Sequence, residues 1–322
     1  MASAAGVTHS SACSRRTRSP FSRAENTASK LAGYTRIGLA VVFLMLAGCR
    51  PVQPTKPKPY FGETKPLATV IEQINSNNQK IKSLYGNGSF EAWIGDGKGH
   101  SDYFNADARV LYRKPQEFRL VARKEIGNVE IASNDKNYWL IVKPKISTMW
   151  WGSYASLDRV HQKDIPIRPD LMLEVLGVND IDSNFKQQPA PVMVFNNDAD
   201  SYMIRWQVTA PDRWIAQKEV WYDRKTFLPT HVLLFDENGR IVLSAYLSEQ
   251  QKVKTEDVPE DQWPKVATNY RLFFPDTQSR ITLKLNEVES SHGGAPNEYS
   301  FQFPGDKAGV DKIISVDEQP AH

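Results

Sequence analysis

The chain has 322 residues, 40 Lys and Arg against 37 Asp and Glu, a formal net charge of +3 and two cysteines. Six of the basic residues and one acid, Glu25, fall in the first 48 positions, so the remaining 274 carry 34 basic and 36 acidic residues, a net −2. That balance argues against a nucleic-acid binder working through a basic field. With Cys13 in the amino-terminal segment, the body keeps Cys49 alone, which excludes an intrachain disulfide and a Cys-based zinc site there.

Residues 1–36 are polar, rich in Ser and Arg, and nearly free of acids. An apolar run follows from Ile37 to Gly48, closing in Leu46-Ala47-Gly48-Cys49. The run is shorter than the roughly 20 residues a membrane span needs, and it fits the apolar core of a secretory signal. Small residues before a cysteine match a bacterial lipobox. There the peptidase needs access to the bond, and the thiol carries a diacylglycerol. We therefore expect residues 1–48 to be a lipoprotein signal peptide. Cys49 is the expected lipidation site, its covalent diacylglycerol and acyl groups being the only cofactor anticipated. Two or three chains hold a protein at a membrane stably, where one does so marginally. Arg50, rather than Asp, follows the cysteine, which favours the outer membrane, facing the periplasm.

Residues 49–65 form a Pro-rich stretch, with Pro51, Pro54, Pro57 and Pro59, followed by Pro66. Such spacing disfavours helix and sheet and suits an extended tether with a reach of roughly 45 Å at about 3 Å per residue. From residue 66 to 322 we expect one domain. Leu67, Val70, Ile71, Ile74, Ile81 and Leu84 keep helical spacing, with Thr64 as a possible cap and Pro66 in the first turn. After Leu84 the period changes to two. Alternation runs through Phe104–Tyr112, Phe118–Ala122, Val129–Ile131, Tyr138–Val142, Tyr202–Val208, Trp214–Tyr222, Thr230–Phe235, Ile241–Leu247, Val266–Phe274 and Ile281–Leu285. A last strand is expected at Tyr299–Phe303. Asn238-Gly239, between two apolar runs, is the strongest hairpin signal. About ten or eleven strands in hairpin order predict a mainly β, α+β fold built on an antiparallel sheet. Pro166, Pro169 and Asp170 introduce the one interruption, a short helix over Leu171–Leu176 ended by Gly177.

Several stretches carry a resemblance to a known family. They are Leu111-Tyr112-Arg113-Lys114-Pro115 with Phe118-Arg119-Leu120; Ile131–Asp135 with Tyr138-Trp139-Leu140 and Pro144; Val220-Trp221-Tyr222-Asp223-Arg224-Lys225-Thr226-Phe227-Leu228-Pro229; and Phe301-Gln302-Phe303-Pro304. Their order, over about residues 66–314, resembles the bacterial lipoprotein-localisation carriers and receptors, the LolA/LolB-like fold. The resemblance implies an incomplete antiparallel barrel whose concave apolar face is covered by helices and holds acyl chains. In the carriers an arginine before a proline helps hold the helical lid. Here Lys114 precedes Pro115 and is the candidate lid contact, although lysine lacks the planar bidentate fork.

Adjacent Trp150 and Trp151 point to opposite faces if they lie in a strand. Met149, Trp150, Trp151, Leu171, Met172 and Leu176 are the candidate residues of an acyl cavity or its lid, since Met and Trp repack around floppy apolar ligands. An alternative reading of the tryptophans is ordinary burial in a curved sheet. His100, His161, His231 and His292 lack ligand spacing, and His161, Asp164 and Asp170 form no recognisable metal motif, so no metal is expected. Gly95–Gly99 and Asn196–Asp200 read as turns. No nucleophile elbow occurs, and no catalytic constellation points to an enzyme. The sequence thus predicts an envelope lipoprotein, anchored to a membrane, that binds acyl chains or lipoproteins. The alternative is a protein-interaction or envelope-stress sensing module with a protein partner.

Overall fold

A computed structural model describes residue 60 and residues 62–317, apart from 96–98, 126, 160–164, 257 and 291–295. The expected signal peptide, Cys49 and most of the tether lie outside the described residues. The chain divides into two units, Met1–Lys58 and Pro59–His322, and everything described belongs to the second.

Two meanders build this body. The first contains β1 (Ser83–Gly95), β2 (Ser101–Arg113), β3 (Glu117–Lys124), β4 (Gly127–Ser133), β5 (Asn137–Lys143) and β6 (Thr148–Ser153). The second contains β7 (Ala190–Asn196), β8 (Ser201–Thr209), β9 (Trp214–Asp223), β10 (Pro229–Phe235) and β11 (Ile241–Ser248). Between them lie β14 (Asn269–Phe274) and β15 (Ser279–Glu289), with β15 paired to β1 and β14 to β11. A short β16 (Lys312–Ser315) adds in parallel beyond β6, and β12 (Gln251–Lys252) with β13 (Lys265–Val266) forms a separate ribbon. The result is one 14-stranded sheet, antiparallel except at β16, ending in β16 on one side and β7 on the other. The expected mainly β fold with covering helices is what the chain adopts. The sheet does not close into a barrel.

The alternation seen in the sequence sets the two faces. Odd positions of β4 (Val129, Ile131) and even positions of β9 (Val220, Tyr222) enter one large apolar core on the concave side. Helix α1 (Leu67–Asn78) and helix α2 (Pro169–Val175) feed the same core through Val70, Ile71 and Ile74, and through Met172, Leu173 and Val175. Curvature follows from the contacts of α2, which touches β4 and β5 and also β10. β4 and β10 are seven places apart in the sheet order, about 34 Å if flat at roughly 4.8 Å per strand. A helix of 7 residues spans only about 10 Å. The sheet therefore curls around α2 as a half-barrel.

Some local expectations differ from the structure. Helix α1 stops at Asn78, so Ile81 and Leu84 are buried as the approach to β1 and its first residues rather than as a further helical turn. Its cap is Pro66, without a side-chain bond, rather than Thr64. Tyr299–Phe303 forms no strand, because Glu298–Phe301 is a 3-10 turn that buries Phe301. The Asn238-Gly239 hairpin has a wider loop, in which Asp236 N donates to Arg240 O at 2.9 Å and Gly239 takes φ 76°, the left-handed position a three-residue loop assigns to glycine. The end of the predicted tether lies on the body. Tyr60 N donates to Asp200 Oδ2 at 2.6 Å and Lys65 N to Tyr202 Oη at 2.9 Å, while Arg224 stacks 5.2 Å from the Tyr60 ring.

Candidate functional site

The concave face is closed by α1 and by the segment 165–181, which contains α2. The underside of that segment is apolar, with Ile165, Ile167, Met172, Leu173, Val175, Leu176, Val178 and Ile181 all buried. Its fastening is polar and concentrated at its carboxyl end. Asn75 of α1 both donates to Ile181 O and accepts from Ile181 N, each at 2.8 Å. Asn78 Nδ2 donates to Asn179 O at 2.8 Å, and Tyr112 Oη donates to Asn179 Oδ1 at 3.1 Å. Burial, then the carboxylates of Asp180 and Glu174, push the Tyr112 hydroxyl pKa up, which keeps it a donor. Gly177 ends α2 at φ 68°, and a Cβ there would lie 2.7 Å from Pro229 of β10. Only glycine allows both the backbone turn and the close approach.

Lys114 sits at the centre of this fastening. Its Nζ donates to Asn78 O, at the end of α1, and to Asp180 Oδ1, each at 2.9 Å. One cation thus joins β2, the last carbonyls of α1 and the segment after α2. The lysine meets a carbonyl and a carboxylate as two separate acceptors, a task that needs no planar fork. Across the sheet, Lys218 Nζ binds Glu174 of α2 at 2.6 Å and lies 4.7 Å over the Trp206 ring.

A polar island is buried at the start of the segment. Arg168 pairs with Asp170 at 2.6 Å, both side chains nearly inaccessible. The Tyr138 and Tyr154 rings pack edge to face at 5.5 Å. Burial and the charge of Asp170 raise both hydroxyls, Tyr154 to about 12. Tyr138 Oη has no hydrogen-bond partner among the described residues. Asp170 therefore belongs to an ion pair. His161 and Asp164 lie outside the described residues.

The six candidate cavity residues do not form one group. Trp150 and Leu171 pack partly buried against the concave core, beside buried Met172 and Leu176. Met149 and Trp151 face the other way, into a second cluster on the convex side with Ala132, Trp139, Ile141, Phe303 and Ala308. The period of two in β6 separates them. The carboxyl-terminal segment 296–317 is what covers Met149 and Trp151. Phe303 lies 5.5 Å from Trp139 and 5.2 Å from Trp151. Asn134 Nδ2 donates to Phe301 O at 3.2 Å, and Asp317 accepts from Ser153 N at 2.9 Å. These two residues thus belong to an outer cluster, on the opposite face from the segment 165–181.

The sequence reading did not find Asn75, Asn78, Tyr112 and Asp180, which hold the segment. A helix ending in asparagines, with Lys-Pro and Asn-Asp far along the chain, gives no local sign that the three meet. Among the described residues no group of His, Cys, Asp and Glu is placed to hold a metal ion, and no helix is long and apolar enough to cross a membrane.

No protein-family model and no curated protein matches the chain. Solved structures do. A putative outer membrane lipoprotein-sorting protein domain from Vibrio parahaemolyticus is 11% identical, covering 73% of this chain and 95% of its own, with a TM-score of 0.43. A LolA superfamily protein from Nitrosomonas europaea is 12% identical, covering 74% and 99%, with a TM-score of 0.42. A DUF1329 family protein from Desulfovibrio piger is 13% identical, covering 74% and 100%, with a TM-score of 0.42.

Proposed function

We propose that the protein is an envelope lipoprotein, anchored through acyl groups on Cys49, whose concave face takes acyl chains when the segment 165–181 lifts. The observation that carries this reading is the contrast within that segment. Its underside is a continuous apolar surface facing an apolar sheet, while its fastening is a few polar contacts at Asn75, Asn78, Lys114 and Tyr112. Lifting it exposes Met172, Leu173 and Leu176 together with the concave strands. Those residues suit aliphatic chains, and the polar contacts re-form in water at modest cost. The Arg168–Asp170 island, with Tyr138 beside it, supplies polar groups at one end of that surface for a headgroup or peptide.

The test is native mass spectrometry of the Cys49→Ala protein purified from its own cell envelope. Bound lipid or lipidated peptide, or uptake of a palmitoylated peptide by the empty protein, is the expected result. Protein that is reproducibly empty and takes up none overturns the reading. Fractionation of the wild-type and Cys49→Ala proteins tests the anchor: only the former stays with the outer membrane.

A second reading, a protein-interaction or sensing module, is favoured by one observation. The β7 edge carries Val192 and Val194 at 46% and 57% exposure, with no strand beyond it among the described residues. Crosslinking that recovers a stable protein partner from cells, with no lipid bound, would decide for it.

A further inference from the structure

The convex face of β1–β3 carries a depression of about 700 Å³ that the acyl-binding reading does not use. Its volume lies within the range of small-molecule sites. Arg109, Arg119 and Arg123 line it, with Asp107 as the one carboxylate, and Asn87, Asn286 and Ser300 around the rim. The strand register explains why the arginines converge. Arg109 faces Val121 across the β2–β3 pair, and Arg119 and Arg123 are the residues two places to either side of Val121. Each is thus a diagonal neighbour of Arg109 at roughly 7–8 Å, within reach for long side chains.

The three are not equally free. Arg119 binds Glu130 Oε2 at 2.9 Å and Ser300 O at 3.0 Å, so its charge is balanced and its position fixed. The Arg109 guanidinium lies 5.8 Å from the Tyr85 ring and has no hydrogen-bonded partner among the described residues. Neither Arg109 nor Arg123 has a hydrogen-bonded carboxylate among the described residues, although Asp107 stands directly opposite Arg123 in register. Two uncommitted guanidinium groups beside a third repel one another until an anion joins them. Planar guanidinium forks match phosphate oxygens in bidentate fashion. Asn87 is directly opposite Arg109 on β1 and adds amide groups for hydroxyls or an ester oxygen.

We propose that this depression is a binding site for a phosphate-bearing ligand, held by Arg109 and Arg123 on a floor positioned by Arg119. The phosphate has two possible sources, a soluble phosphate ester or a lipid headgroup, and both arms are measured on the Cys49→Ala protein. Calorimetry with phenyl phosphate reads the first. Sedimentation with phosphatidylcholine vesicles containing phosphatidic acid, against phosphatidylcholine alone, reads the second. Saturable binding in either arm is expected. Arg109→Gln/Arg123→Gln should weaken it at least tenfold, and Arg123→Gln alone about threefold. Arg271→Gln, an exposed convex-face arginine outside the depression, should stay within twofold of the parent. Circular dichroism checks that each variant is folded, and the single variant decides if the double one is not. Absence of saturable binding in both arms overturns the proposal. So does binding that Arg123→Gln and the double variant leave intact, or that Arg271→Gln weakens as much.

Discussion

The two wings of the sheet use the same device on their convex faces and cover it differently. On the first wing Glu130 of β4 is buried, bound by Arg119 Nη2 at 2.9 Å and by the indole N–H of Trp139 at 3.0 Å. On the second, Glu219 of β9 is buried, bound by Arg205 Nε at 2.7 Å and by the indole N–H of Trp221 at 2.7 Å. In the first case the segment 296–317 lies over the device, and Trp139 is fully buried against Phe303. In the second no segment among the described residues plays that part. Trp221 instead begins a row of side chains across the strands. It meets His231 at 5.1 Å, His231 stacks on Tyr246 at 4.2 Å, and Arg271 lies 5.7 Å over Tyr246. Tyr246 is 51% exposed. A buried carboxylate held by an arginine and an indole is satisfied in both settings. What differs is whether the surrounding aromatics work as core or as surface.

Breaking each device in turn sharpens that difference. Trp139→Ala removes a fully buried indole and one of the two donors to Glu130, so denaturant unfolding should show a loss of about 3–5 kcal/mol. Trp221→Ala on the open wing should cost about 1–2 kcal/mol by the same measurement. Equal losses would mean that the covering segment adds nothing. On each wing the arginine should cost less than the indole. Arg119→Met leaves Glu130 without its cation and should cost about 2–3 kcal/mol, whereas Arg205→Met, on a side chain already 44% exposed, should cost about 1 kcal/mol or less.

A perturbation of the concave side should leave both convex faces alone. Lys114→Met removes the bonds to Asn78 O and Asp180, a loss of about 1–2 kcal/mol confined to the fastening. Amide exchange at Asn179–Ile181 should quicken roughly 5–30-fold, with β4, β5 and β9 unchanged.

The smallest expected effect is pH dependence on the open wing. Burial lowers the pKa of His231, and Glu219 opposes the shift only in part. The folded state therefore binds fewer protons there than the unfolded chain. The stabilising contribution is complete above the ordinary histidine value near 6.5 and declines as the pH falls from there through the folded value. Melting temperatures between pH 7.5 and 5 should fall less steeply for His231→Phe than for the parent.

Much of this architecture is legible in the residues, and what is not has a common cause. Alternation marks β2, β3, β8–β11, β14 and β15, because each buries mainly one face, while β5 reads as a near-continuous apolar run because it and β4 are buried on both faces. β7 and β16 are edge strands with mostly intermediate or exposed side chains. Their place comes from backbone pairing that leaves no periodic trace. The apolar spacing of Ile81 and Leu84 continues that of α1 by coincidence, since both are buried for the sake of β1. Trp150 and Trp151 are separable by period, but the side carrying the lid is not, because Phe303 arrives from about 150 positions away. Lys114 before Pro115 marks the right strand end for the fastening. Its partners Asn78 and Asp180 meet it only through the tertiary fold.

The central claim is that the concave face opens beneath the segment 165–181. Hydrogen exchange of the Cys49→Ala protein, with and without a palmitoylated peptide, tests it most directly. Ligand should reduce protection at Leu171–Ile181 while β3–β6 and the covering segment 296–317 keep theirs. Bound peptide with unchanged exchange across Leu171–Ile181 would contradict the account.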